Sequence, residues 1–259
     1  MTDPGPALPL NFGLAGRVVL VTGGVRGVGA GISAVFAEQG ATVVTCARRP
    51  VEGLAYEFHQ CDVRDADSVA TLIDAIVERN GGLDVVINNA GGSPYALTSD
   101  ASPKFNEKII ALNLLGMLHV SQAANAVMQK QANGGAIVSI SSVSGRRPTP
   151  GTAAYGAAKA GVESLTQTLA VEWAPKVRVN ALAVGMVKTE QSELFYGDAD
   201  SVAAVAATVP LGRLAKPSEI GWAAAFLASD AASYISGTTM AVHGGGEPPP
   251  YLAASSANK

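Results

Sequence analysis

Cysteine is scarce in this 259-residue chain: Cys46 and Cys61 are the only two, which argues against a disulfide framework of the kind that staples small secreted domains. Each ends an apolar segment, so reduced, buried thiols are the reading that fits. Charge is thin as well. The 18 basic and 21 acidic residues leave a formal net charge of −3, and no basic run suggests a nucleic-acid surface. Residues 1–16 hold neither a positive n-region nor a long apolar run, so no signal peptide or membrane span is expected there, and a cytoplasmic location fits. No linker divides the chain, no period of self-similarity marks a solenoid, and no metal site is expected. A small molecule is the expected partner.

Apolar residues are plentiful, at 48%, and the length suffices for one large α/β domain with a full core. Val18-Val19-Leu20-Val21 reads as a buried strand, helical spacing continues to about Gln39, and Gly40 closes it before a strand over 41–46. A short crossover leads to a third strand over 57–61. A helix over 66–79, a strand over 83–87, a long helix over 105–130 and a strand over 135–140 follow. A helix over 153–174, a strand over 177–182, a helix over 217–229 and a strand over 239–242 complete the pattern. Such alternation predicts a doubly wound α/β fold, with a seven-stranded parallel sheet flanked by helices on both faces. Residues 1–16 are expected as a loose arm, 17–246 as a single domain, and 247–259, with Pro248-Pro249-Pro250, as an irregular tail. Ligands in such a sheet bind beyond the carboxyl ends of the strands, where the winding reverses.

The turn after the first strand reads Thr22-Gly23-x-x-x-Gly27-Val28-Gly29 and departs from the generic G-x-G-x-x-G spacing. Its glycines let backbone N–H groups and a helix N-terminus approach a phosphate, which suits a dinucleotide pyrophosphate. Further on, where a carboxylate would accept the ribose hydroxyls of NAD, stands Ala47-Arg48-Arg49. Arg26 and Arg48 are placed for a 2′-phosphate, so NADP(H) is expected over NAD(H). Taken singly, the glycines equally fit a turn packing a helix on a sheet, and each arginine a solvated charge.

Asn88-Asn89-Ala90-Gly91-Gly92 offers small residues where a cofactor would approach the backbone. Tyr155 and Lys159, at i and i+4 on a helix, share one face. Hydride transfer to a carbonyl builds charge on oxygen and needs an acid near neutral pH. A free tyrosine, with a pKa of about 10, holds its proton too tightly, and a nearby ammonium should bring it down. Ser142 follows the fifth strand and can donate to the same oxygen. Asn113 lies in the apolar run 109–118 and needs partners for its amide, as a structural plug or a water-holding group.

Jointly, the glycine turn, Asp62-Val63, Asn88-Asn89-Ala90-Gly91, Asn113, Ser142, Tyr155-x-x-x-Lys159 and residues 180–185 resemble a short-chain dehydrogenase/reductase of the classical type over residues 17–246. The resemblance implies a Rossmann fold with Tyr155 as acid/base, Lys159 on the nicotinamide ribose, Ser142 polarising the carbonyl and Asn113 holding a proton-relay water. It further implies Asp62 and Val63 beside the adenine, Asn89, Ala90 and Gly91 on the adenosine ribose side, and Val187 and Thr189 at the carboxamide. A homodimer or homotetramer is implied too. Two positions depart from the family pattern: Val184-Gly185 replaces a common Pro-Gly, and His243-Gly244-Gly245 a frequent Asp-Gly-Gly.

Substrate contacts are expected from 92–98, 145–151 and 189–210. There Tyr95, Leu97, Met186, Leu194, Phe195 and Tyr196 offer mostly apolar surface, and Arg146 and Arg147 face an anion or water. The expected function is NADP(H)-dependent interconversion of a medium-sized, largely apolar ketone and its secondary alcohol. A 3-oxoacyl thioester on a carrier is the alternative substrate, and a non-catalytic cofactor-binding or regulatory protein the alternative class.

Overall fold

A strand covered on both sides needs an apolar residue at nearly every position, and β1 (Val18–Thr22) is buried throughout. Val18 and Leu20 enter one core, Val19 and Val21 the other. A computed structural model describes residues 11–249 together with Tyr251, Ala254 and Ser256. Within it, β1, β2 (Thr42–Ala47), β3 (Glu57–Gln60), β4 (Val85–Asn88), β5 (Gly135–Ser142), β6 (Val177–Val184) and β7 (Thr239–Val242) form one parallel sheet in the order β3-β2-β1-β4-β5-β6-β7. The winding reverses between β1 and β4, which opens a crevice at their carboxyl ends.

Helix α1 (Gly27–Glu38) leaves that crevice and packs on one face of the sheet through Ile32, Val35 and Phe36. The other face is covered by α2 (Ala66–Asn80), α3 (Pro103–Ile110), α4 (Gly116–Met128) and α5 (Ala153–Glu172), with Ile73, Ile76, Val120, Met128 and Leu169 in the core. Two short helices follow, α6 (Ser192–Tyr196) and α7 (Ala199–Ala207), and then α8 (Pro217–Ala228) joins α1 through Ile220 and Ala224. Local signals set these boundaries. The Asp65 carboxylate accepts from the N–H groups of Asp67 and Ser68 to open α2, and Gly81 closes it at φ 79°. Ser102 caps α3, with Pro103 in its first turn.

Several expectations need correction. The long helix expected over 105–130 runs without a break over Pro103–Met128, but a π turn at Ala111–Leu115 divides it into α3 and α4 and places Asn113 inside. An α turn and a π turn differ in which backbone groups pair, and five residues of mixed type do not reveal that difference. Strands β5 and β6 run two residues past 140 and 182, because Ser141 and Ser142 pair with Ala183 and Val184. The 189–210 segment carries α6 and α7, which interrupted apolar spacing did not reveal. Residues 11–16 are docked and not loose: Leu14 is buried, and the Phe12 ring lies 6.2 Å from that of Trp222 and 6.3 Å from that of Phe226. Residues 1–10, Pro250 and most of the tail beyond it lie outside the described residues.

Candidate active site

The crevice is a cleft of about 880 Å³ along the carboxyl ends of the strands. Its floor is fixed where β1 meets β4. Thr22 Oγ1 accepts from the N–H groups of Asn89 and Ala90, each at 3.0 Å, while Asn89 Nδ2 donates to the carbonyls of Thr22 and Gly23 at 2.9 and 3.2 Å. Gly23 turns at φ 64°, and a Cβ on Gly29 would overlap the Gly23 carbonyl. Only glycine fits that close passage. The turn delivers Gly27, Val28 and Gly29 at the start of α1 to the cleft wall, with Arg26 exposed as its N-cap residue.

At one end the cleft is ringed by Arg48, Arg49, Asp62, Val63 and Arg64. No acid closes β2, whose last residue is Ala47. The Asp62 carboxylate is clasped by Arg64, through Nε at 2.8 Å and Nη2 at 2.5 Å. Arg64, with a smaller contribution from Arg48, holds that carboxyl below its usual range. Sequence reasoning missed Arg64, and the Asp-x-Arg spacing was its one signal. Cys46 and Cys61 line the same end, both buried and free. The Cys61 thiol and burial push the Cys46 thiol up.

At the other end stand Ser142, Tyr155 and Lys159. Ser142 is the last residue of β5, and its Oγ accepts from Ser144 N at 3.1 Å. Lys159 Nζ donates to the carbonyl of Ile140 at 2.7 Å and lies 5.5 Å from the centre of the Tyr155 ring. Burial brings this ammonium down to about 8. The expected lowering at Tyr155 is absent. Burial raises the phenol above its ordinary value, Ser142 opposes this by hydrogen bonding, and Tyr196 adds to the rise. The lysine donates to a backbone carbonyl and lies over the ring, and burial outweighs its charge at the phenol.

Behind the site, Ser141 Oγ donates to Glu163 at 2.9 Å, and Arg146 Nε donates to the same carboxylate at 2.8 Å. Arg146 is therefore tied into the scaffold and is not a cleft residue. Asn113 also stands behind the cleft. Its amide donates to the carbonyls of Gly92 and Ile109, each at 2.9 Å, and accepts from Gly92 N at 2.8 Å. Of the two readings, the geometry is that of a plug. A Cβ on Gly91 would come within 2.7 Å of Asn113 Oδ1 and 3.4 Å of Lys159 Nζ, so this strand end lies against both.

Val187 and Thr189 border the cleft opposite the glycine turn, Val187 by a parallel bridge to Ala215 and Thr189 by accepting from Gln191 N at 3.2 Å. Gly185, which follows the departure at Val184, packs against the other departure: a Cβ on it would lie 2.8 Å from that of His243. Tyr95, Met186, Phe195 and Tyr196 line the outer part of the cleft, whereas Leu97 and Leu194 are exposed and outside its lining. Arg147 lines it as well.

A family model described as enoyl-(acyl carrier protein) reductase matches residues 23–247. The 3-oxoacyl-[acyl-carrier-protein] reductase FabG of Thermotoga maritima is 35% identical over 244 residues, which is 90% of this chain and 98% of the relative. Oxidoreductase UcpA of Escherichia coli O157:H7 is 38% identical over 250 residues, covering 90% of this chain and 95% of UcpA. Among solved structures, the ligand-free aldohexose dehydrogenase of Thermoplasma acidophilum superposes with a TM-score of 0.87 at 31% identity, covering 96% of this chain and 98% of the other.

Proposed function

The chain belongs to the short-chain dehydrogenase/reductase family of NAD(P)(H)-dependent oxidoreductases, and from that premise we propose that it interconverts a ketone and a secondary alcohol with NADP(H), using Tyr155 as the proton donor and acceptor. The observation that carries this reading is one continuous cleft with arginines and no β2 acid at one end, and Ser142, Tyr155 and Lys159 at the other.

A dinucleotide fits the residues present. Glycine at 23, 29 and 91 lets the segments that line the cleft pack together, since a Cβ would meet Ala90, the Gly23 carbonyl and Asn113 in turn, and the N-terminus of α1 faces the cleft with no side-chain cap. Gly23, Gly27, Val28 and Gly29 would hold the pyrophosphate side, and Arg26 and Arg48 the 2′-phosphate. Asp62 and Val63 would border the adenine, Asn89, Ala90 and Gly91 the adenosine ribose, Tyr155 and Lys159 the nicotinamide ribose, and Val187 and Thr189 the carboxamide. The bound nicotinamide supplies the hydride.

The chain's own residues handle the oxygen. Ser142 Oγ donates to the carbonyl oxygen and Tyr155 delivers the proton as charge grows there. Because burial holds the phenol protonated in the folded chain, Tyr155 starts as an acid, suited to reduction. With an oxidised nicotinamide bound nearby, Tyr155 would be drawn toward the phenolate needed for the reverse direction. Asn113 acts one step back, fixing the Gly92 backbone behind Lys159.

Tyr95, Met186, Phe195 and Tyr196 suit a medium-sized substrate with an apolar body. A 3-oxoacyl thioester is the second reading, favoured by the 35% identical relative named for that reaction. Following NADPH absorbance with cyclic ketones, acyclic ketones and 3-oxoacyl thioesters separates them. Thioester turnover alone would move the assignment to the second, and no turnover of any carbonyl would remove both. Association into a dimer or tetramer is part of the proposal and is read by light scattering.

A further inference from the structure

The outer part of the cleft mixes the aromatic Tyr95, Phe195 and Tyr196 with polar side chains such as Ser144, Thr149, Glu190 and Gln191, and Arg147 brings a guanidinium to it. Its surroundings are unusual for a surface arginine. Nη1 donates to Thr149 Oγ1 at 3.0 Å and to the carbonyl of Pro148 at 3.2 Å, while Nη2 meets Glu247 Oε1 at 2.5 Å. Nε is buried and has no hydrogen-bond partner among the described residues. Buried charged donors are seldom left so. Glu247 comes from beyond β7, after the Gly244-Gly245-Gly246 turn, and so reaches Arg147 from the far end of the chain.

Arg147 also stands close to the chemistry. Tyr196, at the end of α6, lines the same pocket and lies within electrostatic reach of both Tyr155 and Arg147. The other cleft arginines, Arg26, Arg48, Arg49 and Arg64, flank the glycine turn or the far end, and Arg146 is tied to Glu163.

We propose that Arg147 is a carboxylate-binding residue of the substrate pocket, and that the substrate is an oxo acid or the corresponding hydroxy acid whose carboxylate displaces Glu247 from the guanidinium. This rests on the oxidoreductase reading above and narrows its substrate class. A planar guanidinium with a spare N–H pairs with a carboxylate through two parallel bonds. The structure already seats one carboxylate there, on one edge only. Both members of the Arg147–Glu247 pair are 36% exposed, and a pair this open is weak, so a substrate carboxylate can replace it on Nη2; Nε is covered in this state and gains a second bond only as departure of Glu247 lets the side chain turn. Glu247 then serves as an internal stand-in that keeps the arginine placed and excludes neutral ligands of poor fit. In the reduction, NADPH gives its hydride to the ketone carbon, Tyr155 gives a proton to the oxygen, and the carboxylate on Arg147 is unchanged.

The test compares medium-chain oxo acids with their methyl esters, using NADPH and the full-length protein. Wild type should favour acid over ester at least tenfold in kcat/KM. Arg147→Gln should erase most of that ratio, Arg147→Lys should restore part of it, and Glu247→Gln should raise it several-fold. Hexanoate, a saturated carboxylate that cannot react, should bind the NADPH complex in calorimetry, at least tenfold more weakly in Arg147→Gln and more tightly in Glu247→Gln. Circular dichroism verifies that each variant is folded. Equal use of acid and ester by wild type, or a ratio and hexanoate affinity unmoved by Arg147→Gln, overturns the carboxylate site while leaving the oxidoreductase reading intact. Loss of all carbonyl turnover in wild type would instead strike that reading.

Discussion

Lys159 donates its ammonium proton to the carbonyl of Ile140 at 2.7 Å, with its Nζ over the Tyr155 ring. The lysine is thereby anchored to β5 one helical turn from the tyrosine, and its charge is kept in a place where water is scarce. Burial draws it from its usual value to about 8.

That burial makes stability depend on pH. Unfolded, Lys159 titrates at about 10.4, and folded at about 8. Between these values the unfolded chain binds more protons, so this contribution to stability rises with pH across the window. Below about 8 both states are charged, and the full cost of burying the ammonium is present. Relative to Lys159→Met, wild type should gain roughly 2–3 kcal/mol in urea denaturation between pH 8 and pH 10.5. A difference flat across that range would show that the ammonium is not desolvated.

Tyr155→Phe should fold and bind NADPH as wild type does, by circular dichroism and nicotinamide fluorescence. Its turnover should fall about 10²- to 10⁴-fold, the range for loss of a general acid. Activity near wild type would assign the proton to another group.

Arg48→Ala, alone and with Arg26→Ala, should raise KM for NADPH about tenfold or more, equivalent to about 1.4 kcal/mol of binding, and change KM for NADH little. Equal effects on both cofactors, or a wild-type preference for NADH, would remove the 2′-phosphate assignment.

Thr22→Val keeps the shape of a buried side chain but leaves the N–H groups of Asn89 and Ala90 without their acceptor. A loss of about 1–3 kcal/mol in stability is expected, together with weaker NADPH binding in titration. An unchanged denaturation midpoint would mean that water replaces the hydroxyl.

Much of this architecture could be read in the chain. The continuous apolar runs of β1, β4 and β5 and the spacing of Val69, Leu72, Ile73 and Ile76 fixed strands and helices to within two residues. Glycine spacing and the Tyr155–Lys159 pair point to residues that line the cleft. What escaped depends on which side chains meet, near or far along the chain. The turn at Asn113 exists because its amide meets Gly92, 21 residues away; the clasp of Arg64 on Asp62 needed geometry; Arg147 and Glu247 stand 100 positions apart. Arg146 and Arg147, adjacent and chemically alike, go to opposite tasks, and nothing in their spacing could separate them.

The reversal of winding between β1 and β4 divides the cleft between two stretches of chain that meet only in three dimensions. The glycine loop, Arg48 and Asp62 precede the exposed turn at Gly81, and Asn89, Ser142, Tyr155 and Lys159 all come after it. A polypeptide cut there would yield two fragments, each with half a nucleotide seat, and the dinucleotide itself would become the ligature that draws them together.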